Sequence, residues 1–484
     1  MDPQRLLTLG PARGREPLLK PAWQRDLERI FPPQDRLLAP ADRLAYGYDN
    51  SQRLHSPQAV VFPRNHQQTA ELVALCRHHR LALTCRGRGT GTAGAAVPVA
   101  GGIVASFERM DAVLELDPAD RLAVVQPGVT NAALQQAAGA HGFFWPPDPT
   151  SAAVCTIGGN LACNAAGPRA VRYGTCRENT LGLTAVDGTG RTLHTGVRTT
   201  KGVVGYDLTR LLIGSEGTLA VITEATLRLA PLPGARRTLQ AVYADVAAAA
   251  AAVSAIMAQP VIPSALEFMD GRAIEMVRNH ADPGLPPGAG ALLMIELEGH
   301  PRAIEAETAE LLAAARVPGC LSAEAAASDE QVERLWRARK ALSPALRNVA
   351  PKKINEDVVV PVSRIPELVS GLERLADRHG LTIVNFGHAG NGNLHVNLLV
   401  DPDDPGQKAA AEACLDEIFD LVLRLGGTLS GEHGIGLVKL PFVAREIDDP
   451  TLAAMCELKK VFDPQGILNP GKGVPCPPTQ ESSP

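Results

Sequence analysis

The chain has 484 residues, 45% hydrophobic, 20% charged and 4% aromatic, which describes a folded polypeptide of roughly two to four domains with an aliphatic core and excludes a small disulfide scaffold or a disordered chain. Its 47 Lys plus Arg against 52 Asp plus Glu leave a formal net charge of -5, with the basic residues scattered, so nucleic acid is not an expected partner. Nine cysteines without a C-x-x-C pair exclude a zinc knuckle or an iron–sulfur cluster and read as reduced, structural thiols.

Residues 1–55, rich in Pro and Arg with one short helix expected over 23–30, suggest a wrapping N-terminal arm of low functional content. No apolar run is long enough to span a bilayer and no secretory signal opens the chain, so a cytoplasmic protein is expected. From residue 59 the pattern predicts a strand (59–62), a helix (65–79) and a strand (81–85) that run into a glycine-dense loop at 87–94. Short strands follow at 102–106, 122–126, 180–186 and 219–229, between Gly- and Pro-rich turns. At 231–234 those turns thin out, which marks a domain boundary.

Beyond it, strands at 265–268, 291–298, 357–361 and 381–386 bracket helices at 246–258, 302–315, 329–349, 364–379 and 407–425. This is the pattern of an α+β unit with one layered sheet. The Ala/Val run at 246–258 reads as a packed helix, because alanine is the best helix former. A helix and turn occupy 451–472, and the tail 475–484 is expected to be disordered.

With 45 glycines and 39 prolines the chain has a surplus of both, and three clusters carry the surplus glycine, at 85–98 (CRGRGTGTAGAAVP), 146–175 and 205–229. In the first, the missing side chains let successive backbone N–H groups converge on an anion, as a pyrophosphate requires. The loop leads into a turn and a strand instead of a helix, so it is not a Rossmann fingerprint.

A second concentration of chemistry lies at 384–400 (VNFGHAGNGNLHVNLLV) and 430–436 (SGEHGIG). His388 ends one apolar strand and His395 opens the next, so their imidazoles can converge across a hairpin. Glu432 and His433 sit together in a glycine-lined loop. Two histidines and a carboxylate without cysteine suit Zn or Mn and leave a position open for substrate.

Taken together, the glycine clusters resemble the flavoprotein family typified by vanillyl-alcohol oxidase, with TIGGN at 156–160, GSEGTL at 214–219 and FDPQGILNPGK at 462–472. The resemblance implies a two-subdomain FAD-binding domain over 56–232. Within it, Arg86, Gly87, Arg88, Gly89, Thr90, Gly91 and Thr92 would cradle the pyrophosphate. Pro147, Asp148, Ser151, Thr156, Gly158, Gly159, Asn160 and Asn164 would lie along the cofactor, Glu216, Gly217 and Ile222 over the adenine, and Asn469 near the flavin. The first loop has no histidine and the cysteine at 155 is not expected to react, so the FAD is expected to be held non-covalently.

The motifs GHAGNGNLHVN (387–397) and GEHGIG (431–436) resemble those of the FAD-linked D-2-hydroxyacid dehydrogenases within that family. This implies an α+β, ferredoxin-like cap domain over 233–440 that binds substrate and metal, and a helical segment over 441–474 that returns to the FAD domain. It assigns His388, His395 and Glu432 to a divalent metal, Zn or Mn, and His433 to the role of catalytic base. Arg339, Ser343 and Asn397 match substrate-contacting positions. Members acting on hydroxyglutarate carry Lys where Asn355 stands, so D-lactate or glycolate is expected ahead of D-2-hydroxyglutarate.

The implied reaction removes the hydroxyl proton to His433 and the Cα hydrogen as hydride to flavin N5, at an interface between the two domains. With no second redox centre to be built, the electrons are expected to leave to a separate acceptor: a quinone, a cytochrome, an electron-transfer flavoprotein or an iron–sulfur subunit. Such a partner could hold the chain against the inner membrane. An oxidase that uses O2 and a relay subunit within a glycolate oxidase-like complex are the alternative readings, and a homodimer is compatible with either.

Overall fold

The computed structural model describes residues 20–278 and 285–476. Its first sheet is built from short apolar runs whose residues are almost all buried, the pattern of parallel strands covered on both faces. Ala59–Val61, Ile103–Ser106 and Leu83–Arg86 lie side by side in parallel, and Arg36–Leu37 closes one edge antiparallel. The crossover helix His66–His79 is capped by Asn65, whose side chain accepts from the Gln68 N–H. Leu27 and Phe31 of the N-terminal arm are buried in the same core as Leu72 and Cys76.

A second, antiparallel sheet has the strand order Val113–Asp117, Leu122–Val125, Ala220–Arg228, Thr180–Asp187, Thr192–Gly196. The third is a seven-stranded antiparallel sheet, in the order Cys320–Ala325, Ala235–Tyr243, Ala291–Gly299, Ala265–Asp270, Thr382–His388, Asn393–Val400, Lys352–Val359. Helices Val246–Ala258, Ile304–Ala315, Ile365–His379 and Pro405–Arg424 cover one face with a continuous aliphatic core. Helices Gly271–Arg278 and Asp329–Val349 cover only part of the other.

The rest of that second face positions the site. Glu267 pairs with His388, Phe386 with His395, and His395 with Asp357 across neighbouring strands. Strand alternation therefore sends all five side chains to one side. There they meet the 167–173 segment and the 430–436 loop. Arg172 donates to the Glu298 carbonyl and the Tyr173 hydroxyl to the Glu298 carboxylate.

The end of the chain returns to the first sheet. Leu83 N–H donates to the Ile467 carbonyl and Asn469 N–H to the Leu83 carbonyl, each at 2.8 Å.

Several expectations change. Cys456 and Cys476 form a disulfide, their Cα atoms 5.4 Å apart, because the returning segment brings residue 476 back beside helix Asp449–Phe462; the other seven cysteines are free. As expected, that helix is followed by a turn, the Asp-Pro-Gln-Gly stretch in which Gly466 takes φ +66. Strands beyond those expected include Val113–Asp117, Thr192–Gly196 and Cys320–Ala325, all half-exposed sheet edges of mixed polarity, and Ala235–Tyr243, whose second and third residues are arginines. Most of the tail at 475–484 and the first 19 residues of the arm lie outside the described residues. Among the described residues, no helix is long and apolar enough to cross a membrane.

Candidate functional site

His388 is the last residue of its strand and His395 the third of the next, diagonal neighbours on one face. Glu432 reaches them from the 430–436 loop: its Oε1 lies 3.5 Å from His388 Nε2 and 3.6 Å from His395 Nε2. Possible ligand atoms of the three residues all fall within 4.8 Å of one another, and this is the only such group among the described residues. Gly167 N–H donates to Glu432 Oε2 at 2.9 Å, tying the cluster to the first half of the chain.

The electrostatics fit a cation. Burial alone would lower His388, yet Glu267 and Glu432 beside it raise it to about 10. Burial, with His388 adding to it, pushes His395 down to about 3, and its Nδ1 is buried without a hydrogen-bond partner. Despite burial, Glu432 is held at about 2 by His388. A carboxylate behind Nδ1 with Nε2 facing forward is how a metal-binding histidine is set, and His388 has that arrangement through Glu267. Two imidazole nitrogens and a carboxylate oxygen suit Zn or Mn.

His433 stacks on His395, the ring centroids 5.4 Å apart and 15° from parallel. Its Nδ1 faces Asp357 Oδ1 at 3.4 Å. Asp357 organises this loop, accepting backbone N–H bonds from Gly431, Glu432 and His433 at 2.9, 2.6 and 2.8 Å. Although burial opposes ionisation, His433 and Lys439 hold its carboxyl well below the usual carboxylate range. Lys439 is itself fully buried against Asp357 and Glu356.

Arg339 lies over the Phe386 ring, 4.8 Å from its centroid, and pairs with Glu267 at 2.8 Å. Asn397 donates to the Val384 and His395 carbonyls and accepts from Asn355, whose own Oδ1 is buried without a partner. The side chain of Ser343 lies outside the described residues; its backbone belongs to the helix that carries Arg339. Glu267, Glu356 and Lys439 were not anticipated from the sequence. The available signal for Glu267 was a carboxylate in the middle of the otherwise apolar run that ends on Asp270, ALEFMD.

The expected cofactor loops also converge. A Cβ on Gly87 would sit 2.3 Å from Thr156 Oγ1, so only glycine lets the first loop approach the second this closely. Thr156 caps helix Ile157–Cys163 by accepting from Gly159 N–H. Asn160 is buried, and its Nδ2 donor has no partner, which fits a buried cofactor acceptor. Gly158 packs on Pro127, and Pro147 accepts from Asn131.

Gly89, Thr90 and Ser151 line a cavity of about 570 Å³ together with Tyr48, Asp49, Asn50, Gln52 and Leu54, so the arm does more than wrap. Gly91 accepts from Asn50 N–H at 3.0 Å, next to Thr92. Asp148 faces Arg169 at 3.5 Å, and burial pushes its carboxyl up to about 7.

Other side chains named with these loops act as anchors. Arg86 donates to the Tyr48 and Ala45 carbonyls, and Arg88 faces Glu108 at 3.6 Å. Asn164 accepts from Thr175 and Arg177. Glu216, beside Gly217, accepts from the Ile435 and Gly436 N–H groups, which joins the cofactor half of the chain to the His433 loop. Ile222 packs partly buried against the second sheet's core. Asn469 donates to the Ala95 and Glu216 carbonyls.

Comparison with known proteins shows the family of the chain. The family described as FAD binding domain matches residues 57–196, and that described as FAD linked oxidases, C-terminal domain, matches 232–473. The chain is 39% identical to the glycolate oxidase subunit GlcD of Bacillus subtilis, covering 89% of this chain and 92% of the relative. It is 36% identical to a D-lactate dehydrogenase of Archaeoglobus fulgidus, covering 94% and 99%, and 34% identical to a D-2-hydroxyglutarate dehydrogenase of Stutzerimonas stutzeri, covering 93% and 98%. The solved structure of p-cresol methylhydroxylase shares the fold, with a TM-score of 0.76 at 16% identity over 93% of this chain and 96% of that one.

Proposed function

From the premise that the chain belongs to the FAD-linked oxidase family and is an FAD-linked oxidoreductase, we propose that it oxidises a small D-2-hydroxy acid to the 2-oxo acid with a divalent metal, Zn or Mn, at His388, His395 and Glu432. The observation that carries this reading is the meeting of those three side chains with His433 on one sheet face. The FAD domain is taken as 56–232, the cap as 233–440 and the returning segment as 441–474.

Bound FAD supplies the hydride acceptor, and a bound divalent cation supplies the positive charge that lowers the hydroxyl pKa of a chelating 2-hydroxy acid. The chain's own groups do the rest. Asp357 faces His433 Nδ1, which leaves Nε2 free to take the hydroxyl proton as general base. Arg339 offers a guanidinium to the substrate carboxylate, and Asn397 keeps the adjoining strand pair rigid through its carbonyl contacts.

The electrons would then pass to a separate acceptor. Glycolate and D-lactate are favoured over a dicarboxylate, since Asn355 places no positive charge beside Asn397. A panel of D- and L-2-hydroxy acids scored by anaerobic flavin bleaching tests the reading. Rapid bleaching by D-lactate or glycolate is expected, and bleaching by none of the panel removes the proposal. Slow reoxidation in air is expected as well; rapid reoxidation would instead make the chain an oxidase.

A further inference from the structure

We propose that Glu267 is a positioning residue that sets His388 and Arg339 simultaneously, so that the metal site and the substrate-carboxylate site are fixed by one buried side chain. This rests on the metal and carboxylate roles proposed above for those two residues. Glu267 is 1% exposed. Its Oε1 lies 2.5 Å from His388 Nδ1, and its Oε2 accepts from Arg339 Nε at 2.8 Å and faces the same guanidinium's Nη2 at 2.8 Å.

Both partners present donors, so the bridge needs two acceptor oxygens on one side chain, which only a carboxylate provides. A glutamine of the same length offers one acceptor, one donor and no charge, so one partner loses its acceptor and the other keeps only a weaker, uncharged contact. On the histidine side, the contact fixes the tautomer with Nδ1 protonated and turns Nε2 toward Glu432 and His395. On the arginine side, it takes the Nε edge of the fork and holds the guanidinium over Phe386. The Nη1 edge remains for an incoming carboxylate. The bridge is part of the sheet itself, because Glu267 and His388 are direct cross-strand partners.

The test compares E267Q with wild type, with FAD content and melting behaviour recorded to show that the variant folds. The readouts are zinc affinity by chelator competition, and KM and kcat for D-lactate, or for whichever acid of the panel bleaches the flavin, at saturating zinc. The bridge predicts zinc affinity lowered by about 10- to 100-fold. It also predicts KM raised by about tenfold with kcat changed much less, the pattern of lost ground-state binding.

The KM effect should be absent when Arg339 is already methionine, because one contact cannot be lost twice. E267D, whose shorter arm cannot span both partners, is the second variant and should shift both readouts in the same direction. Wild-type zinc affinity together with wild-type KM in either folded variant overturns the bridge. A wild-type chain that binds neither zinc nor manganese removes the metal reading instead, and the bridge is then judged by KM: raised in E267Q it stands, unchanged it falls.

Discussion

Replacing His433 with alanine is expected to leave FAD bound and to slow anaerobic flavin reduction by a 2-hydroxy acid by roughly 10²- to 10⁴-fold, the usual contribution of a positioned general base. His433 stacks on one proposed metal ligand, follows another in sequence and turns Nδ1 toward a buried carboxylate. Its loop is held by three backbone N–H bonds to Asp357, which do not involve the imidazole, so the truncation should leave the loop in place. Stopped-flow bleaching separates the outcomes: a variant that keeps FAD and is reduced at the wild-type rate removes His433 as the base.

Lys439→Met should have the largest effect on stability. Lys439 is 2% exposed, with its ammonium against Asp357 and Glu356. Removing one partner of a buried charge group costs roughly 3 to 5 kcal/mol, because the carboxylates left behind are no longer compensated. Equilibrium denaturation should report a loss of that order. Flavin reduction should fall with it, since Asp357 both orders the Glu432 loop and orients His433. A variant of unchanged stability would mean that Asp357 is satisfied by its backbone donors alone.

How much of this was legible in the sequence depends on how local each signal is. His388, His395, Glu432 and His433 lie in two short glycine-flanked motifs, and the apolar runs around the first two fix which face their side chains take. Glu267 was not legible, because its partners are 72 and 121 residues away and only strand pairing brings them together. The Lys439–Asp357 pair is separated by 82 residues and was missed for the same reason.

The glycine loops were recognisable as backbone features, and Gly87 shows why: its missing side chain admits Thr156. The side chains beside those glycines were harder to place. Arg86 fastens the N-terminal arm and Glu216 fastens the 430–436 loop, contacts that depend on distant segments. Edge strands such as Cys320–Ala325 lack a strong apolar alternation because none of their residues is fully buried.

The central claim is that a divalent cation and His433 share one site with the flavin, and metal analysis of the purified protein before and after chelation tests it most directly. About one zinc or manganese per chain is expected. Removing it should leave the FAD spectrum intact, abolish bleaching by the 2-hydroxy acid, and be reversed by adding the metal back. A metal-free protein that is bleached at full rate, with or without chelator, would contradict it.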